Sequence, residues 1–251
     1  MTSFLFYIIF FLLGLAIGSF LNVVILRLPQ EESVLGRSRC PKCKKQIAGC
    51  DLIPVLSYIF LWGRCRNCHE KISLQYPLIE LTTAILFALS YYLIGLNYLL
   101  IFYLPAVSIL VVLFVYDLKF REIPELFAWI FLVLAIIIGF WQSNFDIANF
   151  LLGGLVGGGI LGILVGISEE RLMGAGDIKI GLAIGFLLGY PRALLFLLLA
   201  FVIGAVVGVL LILFGGKKFK SEIAFAPFLI IAGIITLIWG ETIIQSYLKL
   251  L

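Results

Sequence analysis

The sequence predicts an all-α protein threaded through a membrane by about eight helices, with one polar insert between the first two. Three observations carry this. The 251 residues are 63% hydrophobic and only 13% charged, about half the charged share of a soluble domain. Mean hydropathy is +1.19. Runs of about eighteen or more mostly apolar residues recur along most of the chain, each long enough to cross a hydrocarbon layer as a helix.

In order, the spans are expected at 4–26, 76–95, 97–116, 124–141, 149–167, 177–190, 192–214 and 224–241. "GLAIGS" in the first run has the small residues of a signal-peptide cleavage site. However, no Lys or Arg precedes it, and its apolar stretch exceeds a signal core, so it reads as a span. The sixth is short and punctuated by glycines, which suits a tilted or partly re-entrant helix. The chain then divides into a first transmembrane helix at 1–26, a cytoplasmic insert at 27–75 and a membrane core at 76–251.

Positive charge in the loops sets the orientation. With the N-terminus outside, the loops at 27–75, 117–123, 168–179 and 215–223 face the cytoplasm. They hold every basic residue of the 18 except Arg192 and Lys249. "GGKKFK" at 215–220 is then a solvated stop signal. The net charge of +4 is used up by this topology and calls for no nucleic-acid partner. The oligomeric state stays open.

The insert contains all five cysteines. Cys40 and Cys43 form one C-x-x-C, and Cys65 and Cys68 another. Four thiolates in two such pairs suit a tetrahedral zinc, and a segment this small needs a staple because it cannot build a sufficient core. Disulfides are disfavoured in a reducing compartment. Cys50 reads as an inert thiol. His69, the only histidine, is expected on the surface beside its knuckle, although it could replace a cysteine as ligand. With no second histidine, His-based nucleophilic catalysis has little to work with.

Two aspartates fall at the ends of spans on the cytoplasmic side: Asp117 in "YDLKFREIP" and Asp177 in "GAGDIK". Two carboxylates held close cannot both ionise and so share a proton. Such a pair can hydrolyse a peptide without metal: one acid takes a proton from the attacking water, and the other hydrogen-bonds to the carbonyl oxygen. Gly174 and Gly176 leave room for a substrate strand. Lys119 and Lys179 follow the acids by two positions, where they snorkel to headgroups, tune charge or touch substrate. The residues alone also admit other readings. Asp177 could simply cap a helix, both acids could couple ions in a transporter, and a non-catalytic scaffold would need neither.

Several motifs in consistent order resemble one family: "GSFLNVVILRLP" at 18–29, the two cysteine pairs, "DLIPVLSYIFLWGRCRNC" at 51–68, "YPLIELTTA" at 76–84, "DLKFREIP" at 117–124, "GAGDIK" at 174–179 and "APF" at 226–228. The chain resembles the bacterial type IV prepilin peptidases over nearly its whole length. The resemblance implies a GxGD-type aspartyl protease of the bacterial inner membrane with Asp117 and Asp177 as catalytic acids. Its substrates would be prepilins or pseudopilins with a short basic leader. It further implies methylation of the new N-terminal amine with S-adenosylmethionine as donor. Gly18, Asn22 and Glu80 are the candidates for binding the donor or the amine, beside a reading in which they only tie helices together. The chain departs from the family pattern at Glu125, where aspartate is usual, at Leu26, and at Ala226, where glycine is common. Glu122, Glu125, Glu169 and Glu170 lie near the paired acids in sequence and could attract a basic leader, beside the plainer reading as solvated loop charges.

Overall fold

The computed structural model describes residues 2–143, 146–169, 173–214 and 224–250. These residues are helical with no strand, only two isolated backbone bridges. The long helices are α1 (Thr2–Arg27), α3 (Gln75–Ile94), α4 (Leu100–Phe120), α5 (Glu125–Gln142), α6 (Ile147–Ser168), α8 (Arg192–Leu213) and α9 (Ala226–Leu248). By length and composition these seven can each cross a membrane. The short helices are α2 (Leu56–Phe60) and α7 (Ala175–Leu188). The chain divides within α4 into two compact units, Met1–Val112 and Leu113–Leu251.

The expected span missing from these seven is the sixth, which is α7, and it differs from the others. Its 14 residues extend about 21 Å, short of the roughly 30 Å of hydrocarbon. It tolerates this because α5, α6, α8 and α9 all pack against it, so protein rather than lipid supplies most of its surroundings. Two other boundaries shift. α4 runs on to Phe120, which places Asp117 one turn inside the helix rather than after it, with its carbonyl accepting from Arg121 N at 2.8 Å. α9 continues seven residues beyond the expected 241, its polar last turns sustained by i to i+4 bonds from Gln245 to Glu241 and from Ser246 to the Thr242 carbonyl.

Lipid-embedded helices gain little from apolar burial against one another and rely on close packing, which small residues permit. In the first unit, α1 and α3 meet backbone to backbone. A Cβ on Gly14 would lie 2.5 Å from Ala84 Cα, and one on Gly18 would lie 2.7 Å from Glu80 Cα. In the second unit the seam is α6 against α7, where Gly153 and Gly157 face Gly181 and Gly185. A Cβ on Gly185 would lie 2.3 Å from the Gly153 carbonyl oxygen, which no rotamer relieves. Gly185→Val is expected to cost about 1–3 kcal/mol or more by overpacking, read as a lowered thermal midpoint in detergent.

Candidate functional site

Both acids belong to the second unit and both are buried, each about 5% exposed. Asp117 hangs from α4. Its Oδ2 accepts from the backbone N–H of Ala226 at 3.1 Å, across 109 residues of sequence. Ala226 is the first residue of α9, so an otherwise orphaned helix N-terminal donor and the positive end of the α9 dipole are directed at this carboxylate. The contact is made by the main chain, which explains why alanine serves where the resembling family often has glycine.

Asp177 is the third residue of α7. Its Oδ2 accepts from the backbone N–H of Gly174, the N-cap, at 3.2 Å, which is the acidic half of a capping box. The capping role is thus real, yet it uses one oxygen only. Oδ1 is buried with no hydrogen-bond partner among the described residues. A buried carboxylate oxygen without a donor is costly, so capping alone does not account for this side chain. The two carboxylates are near enough for their charges to interact.

The glycines before Asp177 have different surroundings. Gly174 is nearly open: a Cβ placed there would meet nothing closer than 4.0 Å, whereas one at Gly176 would lie 2.8 Å from the Ile123 side chain. The crowding that requires glycine at 176 comes from the α4–α5 connection. Lys179 does not snorkel: its Nζ donates to Glu125 Oε1 at 2.8 Å and sits 4.9 Å over the Trp129 ring. This ties the start of α7 to α5 through one oxygen of Glu125. Because Glu125 is largely exposed, the pair contributes about 1 kcal/mol or less, and Glu125→Gln is expected to move stability by no more than that in a denaturation assay. Lys119 is exposed, its Nζ 5.5 Å from the neighbouring Phe120 ring. Glu122 and Glu169 are exposed. Glu170 and the 215–220 lysines lie outside the described residues.

In the first unit, Cys40, Cys43, Cys65 and Cys68 converge, with all four Sγ atoms within 4.8 Å of one another. Cys40 and Cys68 Sγ are 3.8 Å apart, matching the edge of about 3.8 Å of a tetrahedron with 2.3 Å metal–sulfur bonds. The two arms are copies of one turn. Cys40 N donates to the Lys45 carbonyl and Lys44 N to that of Cys40, just as Cys65 N donates to Glu70 and His69 N to Cys65. The bridges Arg39–Gln46 and Arg64–Lys71 close them. Lys44 and His69 take the equivalent left-handed corner, at φ 58° and 55°. His69 is thus a turn residue and is not among the four clustered ligands. Backbone donors from Cys68 and Asn67 pull the Cys65 thiol down to about 7. Against a backbone donor from Glu70, burial and the neighbouring Cys65, Cys40 and Cys43 push Cys68 up to about 11, as clustered thiols resist ionising together. Arg66 clasps Asp51 with two nitrogens, lowering the Asp51 carboxyl, and Cys50 beside it is an exposed thiol.

Gly18, Asn22 and Glu80 form a separate cluster in the first unit. Glu80 is buried in α3, and its Oε2 accepts from Val55 N at 2.7 Å, with Ser19 as a further partner. Asn22 Nδ2 donates to the Gly18 and Tyr76 carbonyls, while its Oδ1 is buried with no hydrogen-bond partner among the described residues. The Ala226, Val55 and Ser19 contacts were missed by sequence reasoning, although each residue falls inside a quoted motif, at 226–228, 51–68 and 18–29.

Membrane-length helices, a knuckle of four cysteines and two buried acids together define a polytopic helical membrane protein with a candidate acid site. The N-terminal domain of bacterial A24 peptidases matches residues 12–94, and the type IV leader peptidase family matches residues 104–209. The prepilin leader peptidase/N-methyltransferase of Bacillus subtilis strain 168 is 32% identical over 249 residues, covering 96% of this chain and 98% of that protein. Proteins of the same name from Aeromonas salmonicida strain A449 and Legionella pneumophila are 33% and 31% identical, over 98% and 96% of this chain and 94% of each relative. No solved structure matches. The chain belongs to the type IV leader peptidase family.

Proposed function

We propose that this protein removes the short basic leader of type IV prepilins or pseudopilins and N-methylates the newly exposed residue with S-adenosylmethionine. The observation that carries the peptidase half is the buried, unpartnered Oδ1 of Asp177 within electrostatic range of a second buried acid, Asp117. Two such acids share one proton. The ionised member takes a proton from water as that water attacks the scissile carbonyl. The protonated member donates to the carbonyl oxygen and stabilises the developing oxyanion. Backbone donors at Ala226 and Gly174 hold one oxygen of each acid, leaving the other for this work. Gly174, with open space beside it, lets the substrate backbone approach.

Loop charge supports an N-terminus outside and both acids at the cytoplasmic face of the inner membrane, where a basic leader would emerge. Residues 1–26, 27–75 and 76–251 then act as first span, zinc-bearing insert and peptidase core. Zinc is the metal proposed for the four-cysteine cluster, on its all-thiolate, tetrahedral donor set. For methyl transfer, Asn22 Oδ1 supplies an uncommitted acceptor for an ammonium group. Glu80, already engaged by Val55 and Ser19, keeps that region in shape. Names borne by the relatives favour this reading over an ion-coupled transporter or an inert scaffold.

The test is direct. Purified protein in detergent is mixed with a prepilin, with and without S-adenosylmethionine, and the product is weighed by mass spectrometry. The expected product lacks its leader and gains one methyl group only when donor is present. Prepilin left intact by the wild-type protein overturns the proposal, and leader loss without methylation overturns its second half.

A further inference from the structure

The segment just ahead of the second cysteine knuckle is built unlike a water-facing loop. Between positions 52 and 62, Leu52, Ile53, Leu56, Ile59, Phe60 and Trp62 are all exposed, Phe60 at 78% and Trp62 at 89%. Leu56, Ile59 and Phe60 stand at i, i+3 and i+4 of α2, so they share one face. Contiguous exposed apolar surface of this kind marks an interaction site.

The backbone is strained to present it. Pro54, Val55 and Leu56 form a γ-turn, with Leu56 N donating to the Pro54 carbonyl at 2.6 Å and Val55 at φ 60°, ψ −49°. A β-branched residue rarely adopts such a conformation. Trp62 is held in the left-handed region at φ 51°, locked by Gly63 N donating to the Tyr58 carbonyl at 2.9 Å. Strain of this sort persists only where surrounding contacts impose it. Here the imposing contact is Glu80, whose buried carboxylate accepts the Val55 N–H.

That contact also fixes a depth. Glu80 lies five residues into α3, which begins at Gln75, so about 7–8 Å along a membrane-spanning helix. The γ-turn and the α2 that follows are therefore pinned level with the second turn of α3. This is the layer where amphipathic helices bury their apolar face by about 5–10 Å and where Trp concentrates. Exposed Arg64 and Lys71 follow directly, complementary to anionic headgroups.

We infer that residues 52–62 form an interfacial anchor, inserted into the lipid leaflet on the insert's side of the membrane and bolted there by Glu80. The occupant is the bilayer itself, and the cysteine knuckle is thereby held flat against the headgroups. This does not depend on the proposed peptidase activity.

Wild-type protein in nanodiscs containing phosphatidylglycerol, with a diazirine placed on the acyl chain, is photolysed and mapped by peptide mass spectrometry. Adducts are expected within 52–62 and absent from the 39–46 knuckle. As a second measurement, Trp129, Trp141 and Trp239 are replaced by phenylalanine, and Trp62 emission is followed in lipids brominated along the chain. Emission is expected to fall by about twofold or more, with little quenching by aqueous acrylamide. Two results would each overturn the inference. Acrylamide quenching without bromine quenching means the patch faces water, and quenching by neither, with no lipid adduct, means that protein covers it.

Discussion

Asp177→Asn is expected to reduce leader cleavage by about 10²–10⁴-fold or more, the range for loss of a positioned acid–base group, while leaving the protein as stable as before. The geometry separates these two effects. Asp177 uses Oδ2 to accept the Gly174 N–H, and an asparagine oxygen can take over that bond, so the start of α7 stays capped. What asparagine cannot do is share a proton with Asp117. It also removes a buried charge, so stability should hold or rise, the usual trade at a site that keeps costly groups for chemistry. Asp177→Ala is the informative contrast, because it loses the cap as well, worth about 1 kcal/mol. Asp117→Asn should match Asp177→Asn, since its oxygen can still accept from Ala226. The measurement is leader loss by mass spectrometry beside a thermal melt. Cleavage undiminished in both asparagine variants would end the paired-acid mechanism, and a fall in melting temperature equal to the alanine variant's would reduce Asp177 to a cap.

Metal removal carries the second large effect. The insert's described residues offer little core of their own: of its side chains only Cys40 is a buried hydrophobic one. Structural zinc in comparable small modules supplies about 10–16 kcal/mol of apparent binding energy. Chelation, or Cys65→Ser, is therefore expected to unfold residues 39–71 while the membrane helices survive. Limited proteolysis should open sites in that stretch, with helical circular dichroism little changed, and elemental analysis should give one zinc per chain. Acid should act in the same direction, because thiolates bind the metal and their protonation competes with it. Protein that contains no stoichiometric metal, and whose insert resists protease equally with and without chelator, would rule out the structural zinc.

What the sequence made legible follows a physical divide. The cysteine pairs could be read because both ligands of each arm sit in one local turn, so spacing encodes geometry. Helices could be read because apolar runs are long and a membrane leaves few alternatives. Their ends could not be: α4 carries Asp117 inside its last turn, α9 outruns its apolar stretch on polar i to i+4 bonds, and α7 is shorter than a bilayer because neighbouring helices envelop it. The reading of Asp177 as either a cap or an acid was undecidable from "GAGD" alone, and in the fold one of its oxygens caps α7 while the other is left without a donor. Least legible were contacts joining distant segments, such as Lys179 with Glu125 and Glu80 with Val55. In the second of these the donor is a main-chain N–H, which every residue but proline owns and no motif announces.

The same anonymity protects the Ala226 contact. Since the group supporting Asp117 belongs to the peptide unit, nineteen of the twenty amino acids at 226 would still present it, and an alanine scan would pass over the position in silence. Because Ala226 is fully buried, drift there is confined to small side chains, and a proline would strip Asp117 of its donor.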